Sequence, residues 1–122
     1  MSTRGIRGAI TVPTDTKEEI LSATQELLRG ILAENPSLSK EDIASVLFTT
    51  TKDVVAEFPA VAARTLGWNT VPMLCTQEIP VPGSLPMTIR VLIHWNTDEI
   101  QSKIQHIYLR EAKKLRPDIA KE

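Results

Sequence analysis

Arg90 interrupts an apolar run, Ile89-Arg90-Val91-Leu92-Ile93-His94-Trp95. Alternation puts Ile89, Val91, Ile93 and Trp95 on one face of a strand and Arg90, Leu92 and His94 on the other. Neither face is plainly the wet one, so the guanidinium is expected to be at least half-buried. An arginine in that setting calls for an anion. Glu78 closes another apolar segment through Cys75-Thr76-Gln77. Two readings of this pair stay open: a tie between neighbouring strands, or two groups facing one polar, anionic ligand.

Three further arginines stand in unexpected places: Arg7 within the first strand, Arg64 on a short helix and Arg116 at the end of the last helical turn. Singly, each has a plain explanation. Arg7 reads as an edge-strand charge that discourages aggregation, Arg64 as a solvated helix residue, and Arg116 as a favourable charge at a helix C-terminus. Together with Arg90 they suggest recognition of a multiply anionic small molecule, because guanidinium forks match carboxylates. Tyr108, the one tyrosine, either packs with its hydroxyl at the surface or donates a further hydrogen bond.

Other chemistries lack their residues. There is no glycine-rich phosphate loop and no Gly-x-Ser-x-Gly elbow. His94 and His106 stand apart, without metal-ligand spacing, and read as strand-packing histidines. Cys75 has no visible histidine partner and reads as structural rather than nucleophilic. No metal and no cofactor are expected.

The elements that must position these groups follow from 122 residues, 42% hydrophobic and 24% charged, which suits one soluble domain spanning 1–122. The net charge of -1 gives no reason to expect a nucleic-acid or membrane partner. A lone cysteine cannot form an internal disulfide and fits a reducing compartment. No run is apolar enough for a membrane span or a signal peptide, so the cytoplasm is expected. Arg4 to Val12 reads as a strand. Thr16, with Glu19 three residues on, has the form of a capping box. Ile20, Leu21, Leu27, Leu28, Ile31 and Leu32 then mark one helix face, ended at Asn35-Pro36. A helical turn over Ser39–Ile43 precedes a strand over Ser45–Thr51. Phe58-Pro59 opens a second helix to Leu66, stopped by Gly67. Strands are expected at Val71–Gln77 and Thr88–Asn96, parted by a connector with Pro80, Pro82, Gly83 and Pro86. A short apolar piece (Gln105–Leu109) and a helical stretch (Glu111–Leu115) complete the chain. The order predicts an α+β fold: a mixed sheet with helices packed on one face. Its other face would need a partner subunit to cover it.

Several segments carry a resemblance: Arg4-Gly5-Ile6-Arg7-Gly8-Ala9, Phe58-Pro59-Ala60, Arg64, Cys75 with Gln77-Glu78, Pro82-Gly83 and Ile89-Arg90-Val91. Asn96-Thr97, His106-Ile107-Tyr108-Leu109-Arg110-Glu111-Ala112 and Leu115-Arg116-Pro117-Asp118 continue it. From Arg4 to Asp118 the chain closely resembles the Bacillus-type chorismate mutases, the small trimeric α+β family. The resemblance implies a pseudo-barrel homotrimer with active sites between subunits, converting chorismate to prephenate without a cofactor. It implies that Arg90 contacts the ether oxygen and a carboxylate, and that Arg7 binds a carboxylate. Glu78 would accept a hydrogen bond from the ring hydroxyl, with Cys75 beside it, and Tyr108 would contact carboxylate. Phe58 and Arg64 would reach in from the adjacent subunit. Leu115 and Arg116 would belong to a mobile C-terminal segment, about 111–122, that closes over the site. Val61 stands where some relatives carry lysine. Met73 and Leu74 alter the strand leading to Cys75, with substrate contacts there expected to be backbone or apolar.

Such a reaction, an intramolecular Claisen rearrangement, moves no proton and forms no covalent enzyme intermediate. It suits a site rich in arginine and poor in histidine. An anionic-metabolite binder without activity, or an enamine/imine deaminase on a related trimeric fold, would share the Arg7–Glu78–Arg90 cluster.

Overall fold

The structure is a computed structural model that describes residues 1–118. Among these residues the elements run β1 (Ser2–Thr11), α1 (Lys17–Glu34), β2 (Ile43–Thr50), α2 (Ala60–Thr65), β3 (Met73–Gln77), β4 (Thr88–Thr97) and β5 (Ile107–Tyr108). Three single 3-10 turns lie at Lys40–Asp42, Gln101–Lys103 and Arg110–Lys114. The strands form one sheet in the order β3-β2-β4-β1-β5. The β2–β3 and β1–β5 pairs are parallel and the others antiparallel, so the sheet is mixed, as expected.

Alternation sorts the strand residues onto two faces. Ile6, Ile10, Val46, Phe48, Ile89, Val91, Ile93 and Trp95 are buried in one core with Ile20, Leu27, Leu28 and Ile31 of α1. Burying each such side chain is worth about 1.5–3 kcal/mol, so this interface holds α1 firmly. The helix begins where Thr16 Oγ1 accepts the Glu19 amide at 3.2 Å, which satisfies one of its orphan donors. Gly8 sets its closest approach to the sheet. A Cβ there would stand 3.1 Å from Ile31 Cδ1, 3.1 Å from Val91 Cγ1 and 3.2 Å from the Ile107 carbonyl. Gly67, at φ +92°, supplies the left-handed residue just past α2.

Several boundaries move from their expected places. β1 starts at Ser2, paired with Thr97, and stops at Thr11. It is not an edge strand: β4 flanks it on one side and the two-residue β5 on the other. The edge-charge reading of Arg7 therefore falls. β3 starts at Met73, because Pro72 has no amide to donate to a ladder. The Gln105–Leu109 piece is a parallel strand beside Gly8 and Ala9. The expected helix at Glu111–Leu115 is a 3-10 turn, entered through Arg110 at φ +55°. Of the C-terminal segment expected to be mobile, residues 119–122 lie outside the described residues.

Asn35 does more than end α1. Its side chain donates to the carbonyls of Ile31 and Gln105, both at 3.0 Å, and accepts the Gln105 amide at 3.0 Å. This buried amide fixes the chain just before β5 to the end of the helix. No described helix is long and apolar enough to cross a membrane.

Candidate active site

The sheet face turned away from the helices carries the polar strand residues. Register places Thr49 of β2 and Ala9 of β1 on either side of Arg90, and Leu47 and Arg7 on either side of Leu92. A cavity of about 240 Å³ lies over these rows, with Arg7, Leu47, Thr49, Glu78, Arg90 and Tyr108 among its walls. Groups from sequence positions 7 to 108 thus meet because four neighbouring strands present them.

Glu78 is held from two sides. Its amide donates to the Thr50 carbonyl at 2.8 Å, and its carboxylate accepts the Thr49 hydroxyl. The carboxylate stands 3.9 Å from Arg90 Nε, which is attraction without a hydrogen bond. Arg90 Nε is buried and has no hydrogen-bond partner. Leaving such a donor unpaired costs about 1–3 kcal/mol. The arginine side chain remains 32% exposed, so its charge still meets the cavity. The pair draws β4 toward the end of β3, and the approach is loose enough to leave a donor over.

Tyr108 is buried against Ala9 and Ala112, with Leu115 packed on the same cluster. Arg116 binds Asp118 through Nε at 3.0 Å and Nη2 at 2.8 Å. That pairing raises the arginine's proton affinity and lowers the carboxylate's pKa. His106 Nδ1 accepts the Arg7 amide at 2.9 Å. Its pKa is lowered, by burial first and then by the charges of Arg7 and Arg116.

The other expected site residues lie elsewhere within one chain. Cys75 pairs with Phe48 across β2 and β3 and packs against the helix-side core. Cys75 and Phe58 wall a separate hollow of about 390 Å³. Only two residues separate Cys75 from Glu78, but alternation turns Cys75 to the helix side before the chain leaves β3. Met73 pairs with Val46 and also packs on the core, whereas Leu74 is exposed on the open face beside Leu47. Arg64 is exposed near the end of α2. A third hollow, of about 300 Å³, lies by the proline-rich connector and shares Glu78. It lacks the arginines that wall the Arg7–Arg90 cavity. Thr49 and His106 were missed as supporting groups. Alternation along β2 signals Thr49, since it puts that residue on the face of Arg90's partner. Nothing in the sequence aligns His106 with Arg7, because that contact depends on the parallel β5.

Among the described residues no cluster of three or more His, Cys, Asp or Glu side chains could hold a metal. What the cavity offers is two guanidinium groups, an anchored carboxylate and a phenol.

Known proteins resemble this chain in sequence and fold. The model of the family "Chorismate mutase type I" matches residues 3–119. A chorismate mutase from Thermus thermophilus is 56% identical over 116 residues, covering 95% of both chains. One from Bacillus subtilis is 47% identical over 121 residues, covering 98% of this chain and 94% of that one. A solved chorismate mutase from Clostridium thermocellum superposes with a TM-score of 0.88 at 48% identity, covering 90% of this chain and 97% of that one. The family expected from Arg4 to Asp118 is thereby borne out: the chain belongs to the chorismate mutase type I family and is a chorismate mutase.

Proposed function

We propose that this chorismate mutase rearranges chorismate to prephenate in the cavity between Arg7, Glu78, Arg90 and Tyr108. The observation that carries the reading is the buried Arg90 Nε–H, which has no partner of its own beside a cavity walled by two guanidiniums. In the rearrangement a carbon–oxygen bond breaks as a carbon–carbon bond forms. The ether oxygen gains negative charge and the ring gains positive charge. A fixed cation at the oxygen binds the transition state better than the ground state. Arg90 supplies it and stays charged at any working pH. Arg7 and Tyr108 bind carboxylate and hold the enolpyruvyl arm over the ring, which is positional work. Glu78 accepts from the ring hydroxyl and faces the electron-poor side.

The same reading extends to assembly. Phe58 and Leu74 are 64% and 70% exposed, and a 240 Å³ half-open cavity is small for a substrate site. A homotrimer would cover Leu74 and Leu47 and bring Phe58, Arg64 and Cys75 of one subunit to the Arg90 cavity of the next. Leu115 and Arg116 would close it from the C-terminal side. The free Cys75 thiol fits residence in the cytoplasm. The test is direct: purified protein should consume chorismate's ultraviolet absorbance and yield prephenate, and Arg90→Ala should abolish nearly all of it. Retained turnover in Arg90→Ala would move the chemistry to another cavity.

A further inference from the structure

One edge of β1 is satisfied mostly by side chains. Gln101 takes both backbone groups of Gly5, its Oε1 accepting the amide at 3.0 Å and its Nε2 donating to the carbonyl at 2.7 Å. His106 Nδ1 takes the Arg7 amide at 2.9 Å. The Leu109 amide donates to the Ala9 carbonyl at 2.9 Å, and the Arg110 guanidinium donates to the Thr11 carbonyl at 2.9 Å. Only one of these side-chain partners changes charge near neutral pH, and it holds the residue that points a guanidinium into the cavity.

We propose that His106 is a positioning residue for Arg7, a neutral latch whose protonation releases the Arg7 backbone. The inference rests on the reading of Arg7 as a carboxylate-binding group. A backbone amide can only donate, so Nδ1 must be the bare nitrogen and the ring proton must sit on Nε2. An imidazolium carries a proton on both nitrogens and cannot accept. The latch is itself held: Asn35 pins both backbone groups of Gln105, and Ile107 is paired with Gly8. The ring is thus fixed from the end of α1 on one side and from β1 on the other, and it cannot simply follow a displaced Arg7.

The charged groups facing the ring are Arg7 of β1 and Arg116 from beyond the last 3-10 turn, the latter paired with Asp118. α1 contributes the uncharged Asn35. Burial and both cations disfavour the imidazolium and lower the pKa from its ordinary 6.5. The latch is therefore closed at neutral pH and opens only as pH falls below the ordinary histidine range. The sign for stability agrees. The unfolded chain binds this proton first, so stability is full above pH 6.5 and declines as pH falls toward the folded value.

The experiment compares three proteins. In the wild type, kcat/KM should be flat through neutrality and fall on the acid side. His106→Asn keeps an oxygen acceptor near the Nδ1 position but cannot titrate. It should hold kcat/KM within about threefold of wild type and lose that acid limb. His106→Leu orphans the Arg7 amide and should lose about tenfold in kcat/KM at every pH, mostly through KM. An acid limb left unchanged in His106→Asn would overturn the proposal, as would a wild-type profile in His106→Leu. Nitrogen-15 imidazole spectra of the wild type give a reading independent of folding in the variants. Nδ1 should be unprotonated at pH 7, and the Arg7 amide resonance should move with the His106 titration. An Arg7 amide that ignores that titration would also overturn it. Arg7→Ala separates the two layers: unchanged turnover there would sink the site reading, while the spectroscopic coupling would still report on the latch.

Discussion

Arg90 Nε and the Glu78 carboxylate stand 3.9 Å apart, near enough to attract and too far to share a proton. Thr49 is Arg90's cross-strand neighbour, and its hydroxyl donates to the same carboxylate oxygen that faces Arg90. The arginine is thus charge-compensated but left with a donor to give.

Removing that donor should separate catalysis from binding. Arg90→Ala should cost about 3–4 kcal/mol in the transition state, a hundred- to a thousand-fold in kcat. Arg90→Lys should rescue little, because a point charge does not replace a directed fork. A neutral isostere of arginine keeps shape and hydrogen bonding; it should lower kcat steeply and substrate affinity much less. Steady-state kinetics with chorismate decide the matter, and small changes in both parameters would leave Arg90 as a strand tie only.

Thr49→Val should let Glu78 close on Arg90. The expected loss is about tenfold in kcat/KM, the worth of one hydrogen bond to a charged group. Thermal stability should change little, since the site is on the open face. A variant with wild-type kinetics would show that the 3.9 Å gap has no catalytic consequence.

Gly8→Ala should destabilise the fold by about 1–3 kcal/mol, through crowding against Ile31, Val91 and the Ile107 carbonyl. Ile31→Val removes the Cδ1 atom that a Gly8 Cβ would meet. The double variant should therefore recover part of the loss, a favourable coupling readable from denaturant midpoints. Additive losses would mean that Val91 or the Ile107 carbonyl, not the helix, sets the limit.

Mixing inactive Arg64→Ala subunits with inactive Arg90→Ala subunits should restore some turnover. One hybrid interface would then carry both intact halves. A fully active monomer, seen by sedimentation alongside the assay, would end the shared-site reading.

Exhaustive chelation should leave turnover unchanged, because no described cluster of side chains could hold a metal. Loss of activity, restored by one added metal, would contradict a mechanism built on arginine.

The strongest signal in the sequence was local period. Alternation across Ile89–Trp95 assigned both faces of β4 correctly, and the 3.6-residue pattern from Ile20 to Leu32 found α1. Thr16 and Gly67 marked their helix ends because the cap and the left-handed turn each demand few residue types. What stayed hidden depends on pairing. Two apolar residues, Ile107 and Tyr108, become a strand only because Gly8 lets them lie beside β1. Arg110 enters its turn at φ +55°, a conformation that its residue type argues against. It is held there by Thr11 and Glu26. Cys75 looked adjacent to Glu78 in the chain, yet alternation on a short strand turned it to the other side of the sheet.

The strand order also has a consequence in time. β1 is the first strand to leave the ribosome, but both of its neighbours, β4 and β5, are made near the end of the chain. Ala9 waits for Tyr108, and at about 5–20 residues per second the delay is roughly 5–20 s. Until β4 is made, an apolar strand bearing Ile6 and Ile10 has no ladder to join. The Arg7–Arg90 cavity, which takes walls from β1, β4 and β5, therefore cannot be complete until the last of these strands is made.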